Sequence, residues 1–418
     1  MPDGTLIPAT PPCCDTEPGL LPPAEARAHL LRGAVALTGE AVMTPAAALG
    51  RVLAAAPRAA LSLPPFDQSA MDGYGLHEAD LVTGATPRIS RRIAAGDMPG
   101  ATVGPDEAVR ILTGAPVPSG VAAVVMEEHV TLRNGRLSSR RALRPGTNIR
   151  RRGEDLAEGD FLLARGTRLD ARHVALLAAA GVEEVAVRRQ VRVALLSNGN
   201  ELGTAIRDSN RPMLRALLAR PEIACTDLGV LPDDPAALAG ALWQAATEHD
   251  LILASGGVSG SDADHLPRAL AAAGGEAAVL KLALKPGKPL AHGRLGDALC
   301  LFLPGNPLAA LVGMLVLGRP LLARLAGQAE ELGPPSVAAR AAAGFTRKPG
   351  REEFMPARIA GHDDAGLPLL EPSGPYGSAR LKPLAVADGL LWLPAGTECV
   401  SPGDPLRFHP FAASFGLA

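Results

Sequence analysis

Ser255-Gly256-Gly257-Val258-Ser259-Gly260, Lys285-Pro286-Gly287-Lys288-Pro289 and Pro304-Gly305-Asn306-Pro307 follow one another between Asp250 and Pro307, each just after an apolar run. Runs of strand length that end in small-residue turns, with helical periodicity between them, describe an α/β unit. Such a unit collects its polar turns at the carboxyl ends of its strands, where ligands bind. Glycine turns expose backbone N–H groups, and helix N-termini aim them at an anion. Of only five lysines in the chain, Lys281, Lys285 and Lys288 lie here, while positive charge elsewhere is almost all arginine. Lysine supplies a compact point charge that arginine does not copy. The stretch reads as a phosphate or oxyanion site.

Working outward, strands are expected at 191–197, 223–230, 251–254, 278–282 and 299–303, with helices notably at 235–248 and 263–273. Upstream, apolar spacing predicts a helix over 23–37, a short helical piece at 45–54 and another helix within 166–181. Between about 60 and 158, short apolar runs alternate with Gly and Pro turns, which predicts a β-rich module inserted after the first helices. A second β-rich region with a barrel-like small domain is expected after Leu325, and residues 1–22, rich in proline, are expected to be disordered.

With 418 residues the chain is long enough for two to four domains and a sizeable core. A net charge of −2 with both signs interspersed gives no field for nucleic acid or an anionic membrane. The five cysteines (Cys13, Cys14, Cys225, Cys300, Cys399) show no metal spacing and no disulfide framework. They read as buried or incidental thiols in a reducing compartment, with a redox or ligand role as the weaker alternative. No signal peptide is evident, and the apolar segment 308–318 is too short to span a bilayer. The expectation is a soluble cytoplasmic protein without nucleic-acid or membrane partners.

The polar groups at the expected strand ends are Glu201 in Ser197-Asn198-Gly199-Asn200-Glu201, Asp233 in Pro232-Asp233-Asp234-Pro235, and Asp264 beyond the glycine pair. Three hard oxygen ligands beside a phosphate cradle suit Mg²⁺. An equally natural reading is that Asp233 or Asp234 caps the helix that opens at Pro235. Pro64-Pro65-Phe66-Asp67-Gln68-Ser69-Ala70-Met71-Asp72-Gly73-Tyr74 reads as a structured loop with two candidate carboxylates, and Thr113 sits at the mouth of a strand-to-turn. Arg150-Arg151-Arg152-Gly153-Glu154-Asp155 reads first as a solvated charge run, with an anion role as the alternative. There is no Ser-His-Asp elbow, HExxH or Walker A lysine motif.

Taken together, the segments 65–74, 113–118, 148–155, 208–211, 255–264, 285–289 and 303–307 resemble, in order, those of the molybdopterin molybdotransferase family, MoeA in bacteria and the E domain of gephyrin-type proteins. The resemblance covers nearly the whole chain from about residue 20. It implies a bridging domain from 23–59 and 159–190, a β-rich lid at 60–158, a central α/β domain at 191–326 related to the molybdopterin adenylyltransferase, and a C-terminal β-barrel-like domain at 327–418. It implies an Mg²⁺-dependent homodimer that inserts molybdate into adenylylated molybdopterin and releases AMP, with the cleft between the central domain of one subunit and the lid of the other. Partners would include the adenylyltransferase and cofactor-delivery proteins.

Carried over residue by residue, Asp72, Thr113, Asp155, Glu201, Asp233 and Asp264 are catalytic positions, the last three also metal ligands. By the same resemblance, with the glycine turn read as the phosphate cradle, Gly256, Gly257, Ser259, Pro304, Gly305, Asn306 and Pro307 would bind the pterin nucleotide, and Lys285, Lys288, Arg351 and Ser378 would take molybdate. Three departures stand out: Asn198 and Asn200 replace the usual Thr and Asp, Gly260-Ser261 follows Ser259 where Val-Gly is usual, and Ala309 replaces a common serine. The alternatives are an adenylyltransferase sharing the central fold, which needs neither the lid nor the last domain, and an inactive scaffold.

Overall fold

The computed structural model describes residues 19–202, 206–258, 265–329, 334–374 and 377–412. Contacts divide the chain into two units, one of 42–49 and 55–187, the other of 1–41, 50–54 and 188–418.

The larger unit is built on a six-stranded sheet in the order Ile223–Leu231, Val191–Asn198, Leu251–Ser255, Ala298–Leu303, Pro289–Leu295, Glu276–Lys281. The first four strands run parallel, Pro289–Leu295 runs antiparallel to Ala298–Leu303, and Glu276–Lys281 antiparallel to Pro289–Leu295. Strand geometry sends alternate side chains to opposite faces. Val193 and Leu195, Leu251 and Leu253, and Leu299, Leu301 and Leu303 therefore join one core, while Ala194, Leu196, Ile252, Ala254, Cys300 and Phe302 join the other. Helices cover both faces: Asn210–Leu218 and the run Pro307–Leu325 on the first, Pro235–Glu248 and His265–Ala272 on the second. Burial on both sides explains why these strands read as unbroken apolar runs. Removing one such leucine side chain costs about 2–5 kcal/mol.

All five expected strands form within two residues of the expected bounds, and the helix at 235–248 matches. A sixth strand, Pro289–Leu295, was not expected, because His292, Gly293 and Arg294 interrupt any apolar period. Gly293 is needed where it lies, since a Cβ there would stand 2.2 Å from the Glu276 carbonyl. The segment expected to be too short for a membrane span continues as a 19-residue helical run, Pro307–Leu325, with mean hydropathy 1.7. It passes length and composition for a span, yet 89% of it is buried within the protein, as befits the central helix of a core.

Five of the remaining strands close into a barrel: Glu352–His362, Pro368–Pro372, Val337–Ala341, Pro405–Pro410 and Gly389–Leu393, the last pairing back to the first. A two-residue strand, Leu284–Lys285, pairs in parallel with the start of Glu352–His362. The lysine turn is thus stitched to the barrel.

The first helix spans Pro23–Arg32, shorter than expected. Just before it, Leu21 bridges Leu282, so 19–22 are ordered, whereas 1–18 with Cys13 and Cys14 lie outside the described residues. The helical piece expected at 45–54 is instead turns followed by isolated bridges at Val52 and Leu53. Gly50, at φ +77°, holds a left-handed conformation that ends any helix there.

In the smaller unit a six-stranded sheet runs Val121–Met126, Gly73–His77, Glu107–Ile111, Arg88–Ile93, Arg136–Ser139, Val130–Arg133. Alternation again makes two cores, Tyr74, Leu76, Ala108 and Val125 facing one way, Val109, Ile111 and Val124 the other. The helix within 166–181 forms at Ala171–Ala179, capped by Asp170 in a reciprocal box with His173.

Candidate functional site

Three loops of the smaller unit are drawn together. Ser69 exchanges backbone hydrogen bonds with Gly114 and Ala115 at 2.8 and 2.9 Å, Ala70 N donates to Asn148 O at 2.9 Å, and Gly153 N to Pro64 O at 3.0 Å. This brings the Asp72, Thr113 and Asp155 loops to one end of the unit. Asp72 and Thr113 touch: the Thr113 backbone N–H and hydroxyl both donate to Asp72 Oδ1 at 2.7 Å. Those two bonds, with Arg110 nearby, hold the Asp72 carboxyl below the usual carboxylate range. Asp155 is exposed, its backbone N–H on the Leu63 carbonyl at 3.0 Å.

The arginine run follows its solvated reading. Arg150 pairs with Glu154 at 2.8 Å, Arg151 with Asp67 at 2.5 Å and Arg152 with Glu158 at 3.6 Å. Its cations brace the loop with neighbouring carboxylates.

In the larger unit the carboxyl ends of the parallel strands open into a cleft of 1120 Å³. Glu201, Gly256, Lys285, Lys288, Pro304, Gly305, Asn306, Pro307, Arg351 and Ser378 all line it. Gly257 adjoins it at φ +62°, where a Cβ would lie 2.4 Å from Asn198 Oδ1. Pro307 opens the long central helix, and its second residue is tied to the barrel side by Leu308 N on Ser378 O at 3.1 Å. Cationic side chains from the lysine turn and Arg351 thus share one cavity with the glycine turn and a helix start. Such a cavity suits an anionic ligand larger than a lone oxyanion. Lys285 is not turned wholly to the cleft, for its Nζ pairs with Glu353 at 2.8 Å.

Asp233 stands beside the first strand's loop rather than at a helix cap. Its Oδ2 accepts from Asn200 N, and Asn200 Oδ1 accepts from Asp233 N, both at 3.0 Å. The capping role belongs to Asp234, which takes Ala237 N at 2.7 Å. Asn200 therefore spends an acceptor bond on clamping two strand ends. Glu201, next to Asn200 in the chain, lines the cleft, whereas Asp233 is not among the lining residues; both are carboxylates, the donor type that Mg²⁺ prefers. Among the described residues no cluster of three metal-ligating side chains exists, and Asp264 and Ser259 lie outside them.

Sequence reasoning missed several residues. Asn210 and Asn198 line the cleft nearly fully buried; the Asn210 amide N–H donates to Ser255 Oγ and Gly305 O at 2.7 Å, and that of Asn198 to Leu231 O at 3.3 Å. Those carbonyls orient each amide, and both Oδ1 atoms, like Ser197 Oγ, have no hydrogen-bond partner among the described residues. The 208–211 motif marked Asn210 without assigning it a role. Nothing in the sequence marked Glu353 or Arg110.

Of the described cysteines Cys300 is fully buried and its thiol is pushed up to about 12, and burial also raises Cys225, so both are poor nucleophiles.

Residues 21–181 match the MoeA N-terminal region (domain I and II), 194–324 a probable molybdopterin binding domain, and 338–411 the MoeA C-terminal region (domain IV). The chain is 35% identical over 360 residues to a molybdopterin molybdenumtransferase of Haemophilus influenzae, covering 84% of this chain and 89% of that one. It is 36% identical over 379 residues to molybdopterin molybdenumtransferase 2 of Mycobacterium tuberculosis, covering 86% and 92%. A solved structure, the molybdopterin biosynthesis MoeA protein of Pyrococcus horikoshii, superposes with a TM-score of 0.78 at 25% identity, over 93% of this chain and 99% of that one. With all three regions present in order and the similarity running nearly end to end, the chain belongs to the MoeA family of molybdopterin molybdenumtransferases.

Proposed function

We propose that the protein transfers molybdenum to molybdopterin, taking molybdate and adenylylated molybdopterin and releasing AMP. The observation that carries this reading is the single cleft in which Lys285, Lys288, Arg351 and Ser378 face the glycine turn and the start of the central helix. Molybdate is a tetrahedral dianion, and charge-assisted donors on a proline-stiffened turn suit it. The glycine turn and buried amides suit the pterin nucleotide. In the transfer two sulfur–molybdenum bonds form, and the displaced oxygen leaves as water with the thiol protons. Water cleaves the phosphoanhydride, so AMP departs, and no electrons change hands. The cleft residues hold both reactants in reacting geometry, and the cations offset the anionic charge that their approach brings together.

Glu201 and Asp233, with Asp264, would hold Mg²⁺, which when bound neutralises the pyrophosphate and polarises it for cleavage. The finer division into bridging domain, lid, central domain and barrel belongs to this reading, as do a cytoplasmic location and a homodimer in which Asp72, Thr113 and Asp155 of one copy complete the cleft of the other. Hand-over from the adenylyltransferase and on to delivery proteins follows from such a reaction.

Purified protein given adenylylated molybdopterin and molybdate should release AMP and form molybdenum cofactor. Synthesis of adenylylated molybdopterin from ATP instead would make it an adenylyltransferase, and neither reaction would leave a scaffold. Lys288→Ala should weaken molybdate about ten- to a hundredfold while the nucleotide still binds. Loss of the nucleotide instead would reverse the two pockets.

A further inference from the structure

Beneath the oxyanion end of the cleft lies a buried relay of charge that the reaction chemistry does not call for. Glu353 is 0% exposed. Its Oε1 pairs with Lys285 Nζ at 2.8 Å, and its Oε2 lies 2.8 Å from Arg347 Nε, an ion pair by distance whose alignment falls short of a hydrogen bond. Arg347, also buried, spends its other nitrogens on the carbonyls of Pro394 at 2.9 Å and Arg351 at 2.5 Å. Arg351 lines the cleft, and its Nη1 reaches the Leu284 carbonyl at 3.5 Å. Backbone register reinforces the link, because Leu284 and Lys285 pair in parallel with Glu352 and Glu353. One buried ion pair therefore grips the side chain of one cleft cation and the backbone of another, although the two come from segments 66 positions apart.

Stability alone gives no reason for this arrangement. A buried ion pair is often matched or bettered by packed apolar side chains, whereas its geometry is hard to copy with anything else. A lysine side chain has four rotatable bonds and loses much freedom on being held, so a fixed counter-charge pre-organises it before any ligand arrives. We propose that Glu353, backed by Arg347, is a positioning residue that sets Lys285 and Arg351 at the oxyanion end of the cleft. It touches no substrate and acts through the two cations. The proposal rests on the assignment of the lysine turn to molybdate.

The test uses the full-length enzyme and compares Glu353→Gln, Glu353→Asp and the paired variant R347M/E353M, with Lys288→Ala as reference. Molybdate KM, kcat, the Kd of adenylylated molybdopterin and the Tm are measured for each. Glu353→Gln should raise the molybdate KM about tenfold with the nucleotide Kd within about twofold of the parent. Glu353→Asp, which keeps the charge, should recover part of the loss. Should Glu353→Gln fold poorly because Arg347 is stranded, the paired variant removes both charges and should keep its Tm while still showing the raised molybdate KM. A parental molybdate KM in the paired variant, with Lys288→Ala impaired, overturns the positioning role and leaves the oxyanion site standing. A parental molybdate KM in both overturns the oxyanion assignment and the positioning role together.

Discussion

The contact between Asp72 and Thr113 shows how a residue acquires its properties from a distant one. Both were legible as candidates, yet they are 41 positions apart, and only folding puts two Thr113 donors on one Asp72 oxygen. Those bonds favour the ionised carboxylate, so Asp72 stays charged to a lower pH than an ordinary aspartate. Thr113→Val keeps the backbone donor and removes the hydroxyl, so the Asp72 carboxyl should move back up toward the usual range. A carboxyl-carbon NMR titration would read this directly. If the ionised form is needed, the acid limb of kcat/KM shifts to higher pH by the same amount; an unmoved Asp72 titration would show that the hydroxyl is only a spectator. Asn200 shows the reverse: in sequence it is only a departure from the usual Asp, and in the fold it clamps Asp233.

At the scale of the element, the strand-to-glycine turns carry the site, and their sequence pattern announced them well before their contacts were known. Gly256 shows why glycine is needed. It sits at φ +95°, and a Cβ there would lie 2.2 Å from the Asn198 carbonyl at the end of the neighbouring strand. Gly256→Ala should cost at least about 1–2 kcal/mol from the left-handed backbone alone. The clash adds to this by pushing apart the strand ends that frame the cleft. The expected outcome is a Tm loss with nucleotide affinity down more than about tenfold, by calorimetry and titration. Parental affinity would mean that the glycine turn does not touch the nucleotide. Elements were illegible where the period was broken, as in Pro289–Leu295, or where a backbone conformation outweighed it, as at Gly50.

For the whole molecule, the candidate residues divide between the two units of the chain, with Asp72, Thr113 and Asp155 in one and the lysine turn in the other. The proposed dimer makes a sharp prediction from that division. Mixing inactive Asp72→Asn subunits with Lys288→Ala subunits under proven exchange, at molybdate too dilute for Lys288→Ala to turn over by itself, should restore roughly a quarter of parental activity, because half the dimers are then mixed and each has one intact cleft. No recovery would place each complete site within one copy. The sequence by itself determined the α/β class, five of the six strands of the central sheet, the glycine turns and most of the candidate residues. These depend on periodicity and on backbone conformations that only certain residues adopt, and both are local properties. Tertiary structure alone decided that Glu353 grips Lys285, that Asn210 faces the cleft, that Asp233 clamps a loop while Asp234 caps a helix, and that an apolar 19-residue helix is a core rather than a span. The reason is that hydrogen bonds, ion pairs and burial join groups by distance in space, and chain order carries no record of that distance.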